Sequence, residues 1–251
     1  MSELPKLHHS DPIFTLPTSS LRKLKPYRDL IYIQQTLPSQ TTFRLAYRCI
    51  KLWAVEHGLY SSKFGFLNGT QITLMLSWIC KRLAYHLTSV SAGDVVATFF
   101  HYYAEFDFKN DLMFDAFFYK NLPPNKQLRY HRSSQEPMVV LGHHTPHTNV
   151  SHTTTVASLN VLVKQFEKAD LVLSKPDMTW ARFFNPPESP HAGITEFLNS
   201  YDSYARIHIH YWGRSSTKGK GLVNWVETSC VSLVAGKYNL PAMATSIVLT
   251  K

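Results

Sequence analysis

Phe43 to Gly69 reads FRLAYRCIKLWAVEHGLYSSKFGFLNG. Phe43, Tyr47, Ile50 and Ala54 recur three or four residues apart, which predicts an amphipathic α-helix with one apolar stripe. Arg44, Arg48 and Lys51 recur at the same spacing, one residue on, and make a basic stripe beside it. Gly58 is placed to end the helix as a left-handed cap. Three cations in register face a concentrated negative charge more naturally than they face each other. The competing reading is a solvated basic face with no ligand. Tyr60 and Ser61 then lead into a glycine-bearing turn, Gly65 to Gly69, and a second apolar helix.

Working outward, KPYRDLIYIQQTL predicts a helix that starts at Pro26, a favoured first-turn position, and ends before Pro38. Ser39 is a candidate cap for the helix with the basic stripe. Thr70 to Leu87 is apolar on most sides, as a buried central helix would be. Ser91 to Phe106 predicts a further, aromatic-rich helix. Residues 26–106 are therefore expected to form a helical domain. Residues 1–25, with Pro5, Pro12 and Pro17, are expected to be an extended lead-in. Residues 107–136, polar and carrying Pro123 and Pro124, read as a linker or an ordered crossing loop.

The remainder, residues 137–251, alternates in type. Pro137 to Leu141 reads as a short apolar strand, Thr153 to Leu173 as a helix, and TWARFF (Thr179 to Phe184) as a strand or its lead-in. Ser203 to Trp212 alternates cleanly and is the strongest strand signal in the chain. Gly221 to Val234 predicts a helix ended by Gly236, and AMATSIVLTK a closing strand. Strands and helices in this order predict an α/β sandwich of the ferredoxin or RRM type. The fold class expected is thus α+β, a helical domain followed by that sandwich.

The 251 residues suffice for one large or two small domains. Hydrophobic residues are 44% and aromatic ones 13%, which excludes a disordered chain. The formal net charge of +9 favours polyanionic partners: RNA, DNA or acidic lipid surfaces. Cys49, Cys80 and Cys230 form no Cys-x-x-Cys pair, so neither a zinc ribbon nor a disulfide framework is indicated, and a reducing, nuclear or cytoplasmic setting fits. No run approaches the roughly 20 apolar residues of a membrane span.

The opening stretch resembles the central domain of eukaryotic poly(A) polymerases, in which a helix FRxxxRxIKLWA leads through IYS into a GFLGG turn. Phe43, Arg44, Arg48, Ile50, Lys51, Leu52, Trp53 and Ala54 match, as do Tyr60, Ser61, Gly65, Phe66, Leu67 and Gly69. The helix GLVNWVETSCVSLV looks like that of the family's RNA-binding domain, whose fold is of the sandwich type. Its basic residues after the Glu are here Ser229 and Val231.

By this resemblance Lys51 and Tyr60 would touch the ATP triphosphate, and Gly69 and Thr70 would lie against the adenine. Lys51 supplies a point charge, Tyr60 a hydroxyl donor and Gly69 a close backbone approach. The pattern departs at Asn68, where the family has Gly, and at Thr70, where it has Val. The family's SLNG element corresponds to Ser20-Leu21-Arg22-Lys23, without the Asn. The family's catalytic domain, with its Gly-Ser motif and three metal-binding carboxylates, precedes the region matched. This sequence has no Gly-Ser dipeptide and no Asp-x-Asp pair, and Glu105-Phe-Asp107 stands where the family has no catalytic role. No catalytic residue is assigned, and the chain alone is not expected to polymerise adenylate. ATP and Mg would enter only with a catalytic domain supplied elsewhere.

In Ser203 to Trp212, one face carries Arg206, His208, His210 and Trp212, a row suited to stacking bases and contacting phosphates. Arg214, Lys218 and Lys220 follow in what reads as a flexible Gly-rich loop. With Arg44 and Arg48 these are the candidate RNA contacts. A half-exposed strand followed by a solvated loop explains the same pattern without RNA. His143, His144, His147 and His152 crowd one segment, but at no zinc spacing, and read as a polar loop; no metal is assigned. The expectation is a non-catalytic module binding single-stranded RNA in 3'-end processing, with a catalytic or RNA-processing protein as possible partner. The alternatives are part of an adenylyltransferase whose ATP site this chain completes, and a protein-interaction scaffold whose ligand sites have decayed.

Overall fold

Helix α3 (Gly69–His86) runs through the middle of the molecule, and its sequence leaves it no other place. Ile72, Leu74, Met75, Leu76, Ile79 and Cys80 cover most of its circumference and all are buried. A helix apolar on most sides needs neighbours on most sides. The computed structural model, which describes residues 16–120, 128, 130–184, 203–234 and 245–249, supplies them. Helix α2 (Gln40–Glu56) and helix α4 (Ala92–Glu105) pack on α3, and helix α6 (Val156–Leu173) packs on α4. Helix α1 (Thr18–Thr36) adds Ile33 to the same core.

Aromatic rings fill the space between these helices. Trp53 of α2 lies with its ring centroid 4.6 Å from Phe100 of α4 and 5.8 Å from Phe166 of α6. Phe99 and Tyr103 pack edge to face at 4.9 Å, and the buried Tyr103 hydroxyl donates to the Met75 carbonyl oxygen at 3.0 Å. Of these helices, α2, α3, α4 and α6 start with a side-chain cap. Ser39 accepts from the Thr42 N–H, and Ser91 and Thr155 each form a reciprocal pair with the third helical residue. Gly58 ends α2 at φ +69°, in the left-handed conformation expected of it.

Helix α1 begins two turns before Pro26, so that proline lies in the helix interior. A proline there removes one helical N–H. Side-chain bonds across the same turn offset the loss. The Lys25 ammonium lies 2.6 Å from Asp29, and Asp29 also accepts from the His144 backbone N–H at 2.9 Å and faces the His144 ring at 2.8 Å. The segment after α4 is closed by Arg132, whose guanidinium donates to the carbonyls of Phe108 and Pro137 at 2.6 and 2.7 Å. Helix α5 (Ala116–Lys120) presents Asp115 just ahead of it, 2.5 Å from the buried Lys81 of α3.

The ferredoxin- or RRM-like sandwich expected over residues 137–251 is overturned. Pro137 to Leu141 forms no strand. Val140 and Leu141 make isolated bridges to Met113 and Asn149, inside the helical body. Residues Val156–Leu173 are helical as expected, but the buried faces of Leu159, Leu162 and Phe166 join the core of α2 and α4 instead of covering a sheet. TWARFF yields a short helix, α7 (Trp180–Phe184), in which Phe183 packs on Phe100 at 5.8 Å. Among the described residues the strands are β1 (Ser203–Ile207) and β2 (Thr245–Leu249), paired in parallel and separated in sequence by helix α8 (Ser216–Val234). Periodicity gave the local types of several segments correctly. It could not say that the apolar face of α6 would be claimed by helices. Gly236, Pro123 and Pro124 lie outside the described residues, as do residues 1–15.

Two tests follow from this core. Phe166→Ala is expected to lower unfolding free energy by about 3–5 kcal/mol. Val156→Ala, on the exposed side of the same helix, should change it by about 0.5 kcal/mol or less. Guanidinium denaturation followed by circular dichroism separates the two.

The second test is acid stability. Burial pushes the Asp115 carboxyl up, but the hydrogen bond from His143 and the Lys81 ammonium outweigh it and hold it at about 2. Asp29 is likewise at about 2, with burial opposed by His144 and Lys25. Folded values depressed below the unfolded value of about 3.9 mean stability fully present above about pH 4 and lost as pH falls towards 2. His143 is held neutral by burial, which lowers its value despite Asp115, so it acts in the same direction below about pH 6.5. The denaturation midpoint should therefore fall monotonically on acidification, and Asp29→Asn should flatten the segment between about pH 4 and 2.

Candidate nucleic-acid interface

The C-terminal half of α2, the turn Ser62–Phe64 and the first turn of α3 meet at one end of the helical body. Lys51 is half-buried there, with its ammonium 5.0 Å from the Tyr60 ring centroid. It makes no ion pair among the described residues, so its charge is balanced only by the ring face. One helical turn earlier, Tyr47 places its hydroxyl in hydrogen-bonding contact with that of Tyr60; burial first, and then Tyr60, push the Tyr47 hydroxyl up in pKa. A Cβ on Gly69 would lie 3.1 Å from the Tyr47 hydroxyl and 3.3 Å from that of Tyr60. Glycine at 69 is thus what lets two tyrosine hydroxyls close over the start of α3.

Lys51, Tyr60 and Gly69 are therefore brought together, and Tyr47 joins them. Sequence reading had placed Tyr47 in the apolar stripe. The signal was its position four residues before Lys51, at the edge of that stripe. Thr70 is exposed in the first turn of α3. Asn68 accepts from the Gln71 N–H at 3.0 Å, and Gln71 Oε1 accepts from the Asn68 N–H at 2.8 Å. Gln71 is fully buried and donates through Nε2 to Ser151 Oγ at 2.7 Å. Asn68 therefore has a structural task in capping α3. The positive end of the helix dipole, a cation and tyrosine hydroxyls share this end of the molecule, an arrangement that favours an anion.

Arg44 and Arg48 are exposed along α2. Arg44 reaches Gln40 Oε1 at 3.4 Å and borders a groove of about 310 Å3 with Leu30, Leu37, Phe43 and Tyr47.

In the second half, Arg206 stands in β1 opposite Val248 of β2. The strand ends at Ile207, short of the expected Trp212, yet the rings beyond it form a row. His208 stacks on His210 at 6.4 Å and 19°, and His210 on Trp212 at 5.9 Å and 18°. Trp212 is 90% exposed. Arg214, Lys218 and Lys220 are exposed, and the two lysines lie in the first turns of α8 instead of in a flexible loop. Trp225, 66% exposed, sits seven residues beyond Lys218 and shares its helix face. Sequence reading passed over it, because a Trp in an apolar helix reads as core. Glu227 of α8 lies 3.9 Å from Lys63, which ties this helix to the turn after Tyr60.

The histidines expected in a polar loop are partly core. His143 is fully buried against Asp115 at 3.1 Å, His144 faces Asp29, His147 lies 3.1 Å from the Tyr119 hydroxyl, and the His152 ring lies 3.2 Å from the Asn149 carbonyl oxygen. They serve separate partners, and no metal-binding group was found among the described residues. Asp107 accepts from the backbone of Lys109 and Asn110 and closes a turn.

The family model for the poly(A) polymerase central domain matches residues 42–186, more than half of the chain. Nuclear poly(A) polymerase 4 of Arabidopsis thaliana is 25% identical over 195 residues, 76% of this chain and 25% of that protein. Nuclear poly(A) polymerase 2 of the same plant is 23% identical over 208 residues, 81% of this chain and 24% of that protein. Poly(A) polymerase of Dictyostelium discoideum is 21% identical over 248 residues, 98% of this chain and 29% of that protein. The chain thus spans between 24% and 29% of the length of these relatives. The matched stretch holds α2, α3, α4 and α6, the helices that build the core and the Lys51–Tyr60 wall, and the chain belongs to the poly(A) polymerase family.

Proposed function

We propose that this chain is an RNA-binding part of a nuclear 3'-end processing machinery and holds single-stranded RNA without catalysing its extension. The observation that carries the reading is the exposed stack of His208, His210 and Trp212, followed directly by Arg214, Lys218 and Lys220. Ring faces accept bases of any sequence, and adjacent cations accept the phosphates between them. The net charge of +9 draws the strand in, and two relatives are named nuclear poly(A) polymerases. Adenylate transfer requires metal-binding carboxylates, which we assign to a protein partner or a further domain.

A second reading rests on Lys51. A half-buried cation without a carboxylate partner among the described residues, beside Tyr60 and the start of α3, suits the triphosphate of ATP. In this reading the chain completes a nucleotide site whose catalytic residues lie on another domain.

A fluorescence titration of labelled oligo(A) and of mixed-sequence RNA tests the first reading. Trp212→Ala is expected to weaken binding by about 1–3 kcal/mol, roughly five- to 150-fold. If Arg214, Lys218 and Lys220 each neutralise one phosphate, log K should fall with log salt at a slope near −2. Absence of binding at low salt would end this reading. For the second, calorimetry with Mg-ATP should show binding that Lys51→Ala weakens by about tenfold or more. Equal ATP affinity in the two proteins would reject a role for Lys51.

A further inference from the structure

An open groove of about 410 Å3 lies between α3, the end of α4 and the segment before α5. Trp78 of α3, Tyr102 of α4 and Phe106 just after α4 line it, and Asp111, Leu112 and Phe114 border it on the other side. It is separate from the Lys51–Tyr60 wall and from the ring row beyond β1.

The backbone along this border is extended and bonded on one edge only. The Met113 N–H donates to the Val139 carbonyl at 3.0 Å, and the Met113 carbonyl accepts from the Leu141 N–H at 2.9 Å. Met113 thereby forms a parallel bridge with Val140. In an extended chain the peptide groups of the two neighbours point to the opposite edge. Neither Leu112 nor Phe114 makes a backbone hydrogen bond to the described residues. Their N–H and C=O groups form a free strand edge beside three aromatic rings. Proteins usually blunt such an edge with proline, a bulge or a cover. The residues Asp111 to Asp115 contain no proline.

Charge narrows the occupant. The Asp111 side chain is exposed and makes no bond, and Asp107 lies nearby in sequence. Asp107 is engaged by Asn110 in its own turn, so the exposed Asp111 carboxylate is the one that can meet a basic side chain of an occupant. The Tyr102 ring already carries the Arg82 guanidinium at 4.8 Å, so a basic side chain of the occupant belongs at Asp111 and not on that ring.

We propose that this groove binds an extended, basic peptide segment of a partner protein by strand addition along Leu112–Phe114. Its amides pair with the free edge. Apolar side chains at alternate positions enter between Trp78, Tyr102 and Phe106, and a lysine or arginine faces Asp111. Strand addition draws affinity from main-chain bonds and specificity from alternate side chains, which is what edge and groove together offer.

The test uses the full chain and a panel of blocked heptapeptides that alternate valine, leucine or tyrosine with lysine. A second set carries N-methyl groups on alternate amides. Hydrogen exchange reads the Leu112 and Phe114 amides directly, and about tenfold slower exchange at these two positions is expected with the first set and not with the second. Asp111→Lys should weaken peptide binding about fivefold or more while leaving the melting temperature within a few degrees. Unchanged exchange at about 1 mM of every peptide overturns the proposal. So does equal protection by N-methylated peptides, which would mean a contact without strand pairing. Protection by oligo(A) in place of peptide would make the groove a nucleic-acid site. Protection that follows protein concentration alone would make it a contact between copies of this chain.

Discussion

The structure depends on burying a central helix that is not wholly apolar. α3 carries Gln71, Ser77 and Lys81 into the core along with its aliphatic residues. A buried amide or ammonium without a partner costs more than most single contacts supply. Each of the three is answered. Ser77 donates to the Leu74 carbonyl within the helix, Gln71 meets Ser151, and Lys81 meets Asp115. Two of these partners lie far along the chain, on the segments between α4 and α6. The polar groups of α3 thus fix where those segments run, and through them where α6 can reach the aromatic core. The Lys81–Asp115 pair is also tied to His143, and the Lys25–Asp29 pair to His144, so α1, α3, α5 and the histidine segment share one charged network.

The candidate ligand surfaces arise where helices end. The Lys51–Tyr60 wall stands where α2 stops and α3 begins, since helix termini leave backbone groups and dipole ends to be used. Gly65, at φ +78° and with no room for a Cβ beside Ser158 and Thr153, closes the turn after Tyr60 in which the Leu67 N–H meets the Leu59 carbonyl before α3. The ring row beyond β1 is of a different kind. It is held by ring stacking and leaves Trp212 exposed. The Lys63–Glu227 contact is half-exposed on both sides and adds little energy of its own, but it sets α8 close to the turn after Tyr60.

Much of the helical half was legible, because its signals are local. The stripe Phe43–Tyr47–Ile50–Ala54, the caps Ser39 and Gly58 and the apolar run of α3 depend on neighbours three or four residues away. Lys51, Tyr60 and Gly69 lie close together because they belong to one short motif. What escaped reading was set by distant contacts. Nothing local in Pro137 to Leu141 says that Met113 will be its partner, and nothing in TWARFF says that Phe183 will pack on Phe100. Val156, Leu159, Val163 and Phe166 announce a helix, but not whether a sheet or other helices will cover it. Tyr47 packs its ring on the core as the stripe implies, and the pattern does not show that its hydroxyl meets Tyr60. His143 was misread because its burial rests on Asp115, 28 residues earlier.

Gln71 holds the start of α3 with one amide group engaged at both ends, its oxygen on the Asn68 backbone and its nitrogen on Ser151. The wall beside Gly69 is therefore held in place by the fold itself. Its conformational entropy has been surrendered in folding, and a ligand that matches the surface need not restrain it again. The same stiffness works against a ligand that does not match. Displacing Asn68 would strip one partner from a fully buried amide, so the start of α3 resists any group that asks it to move.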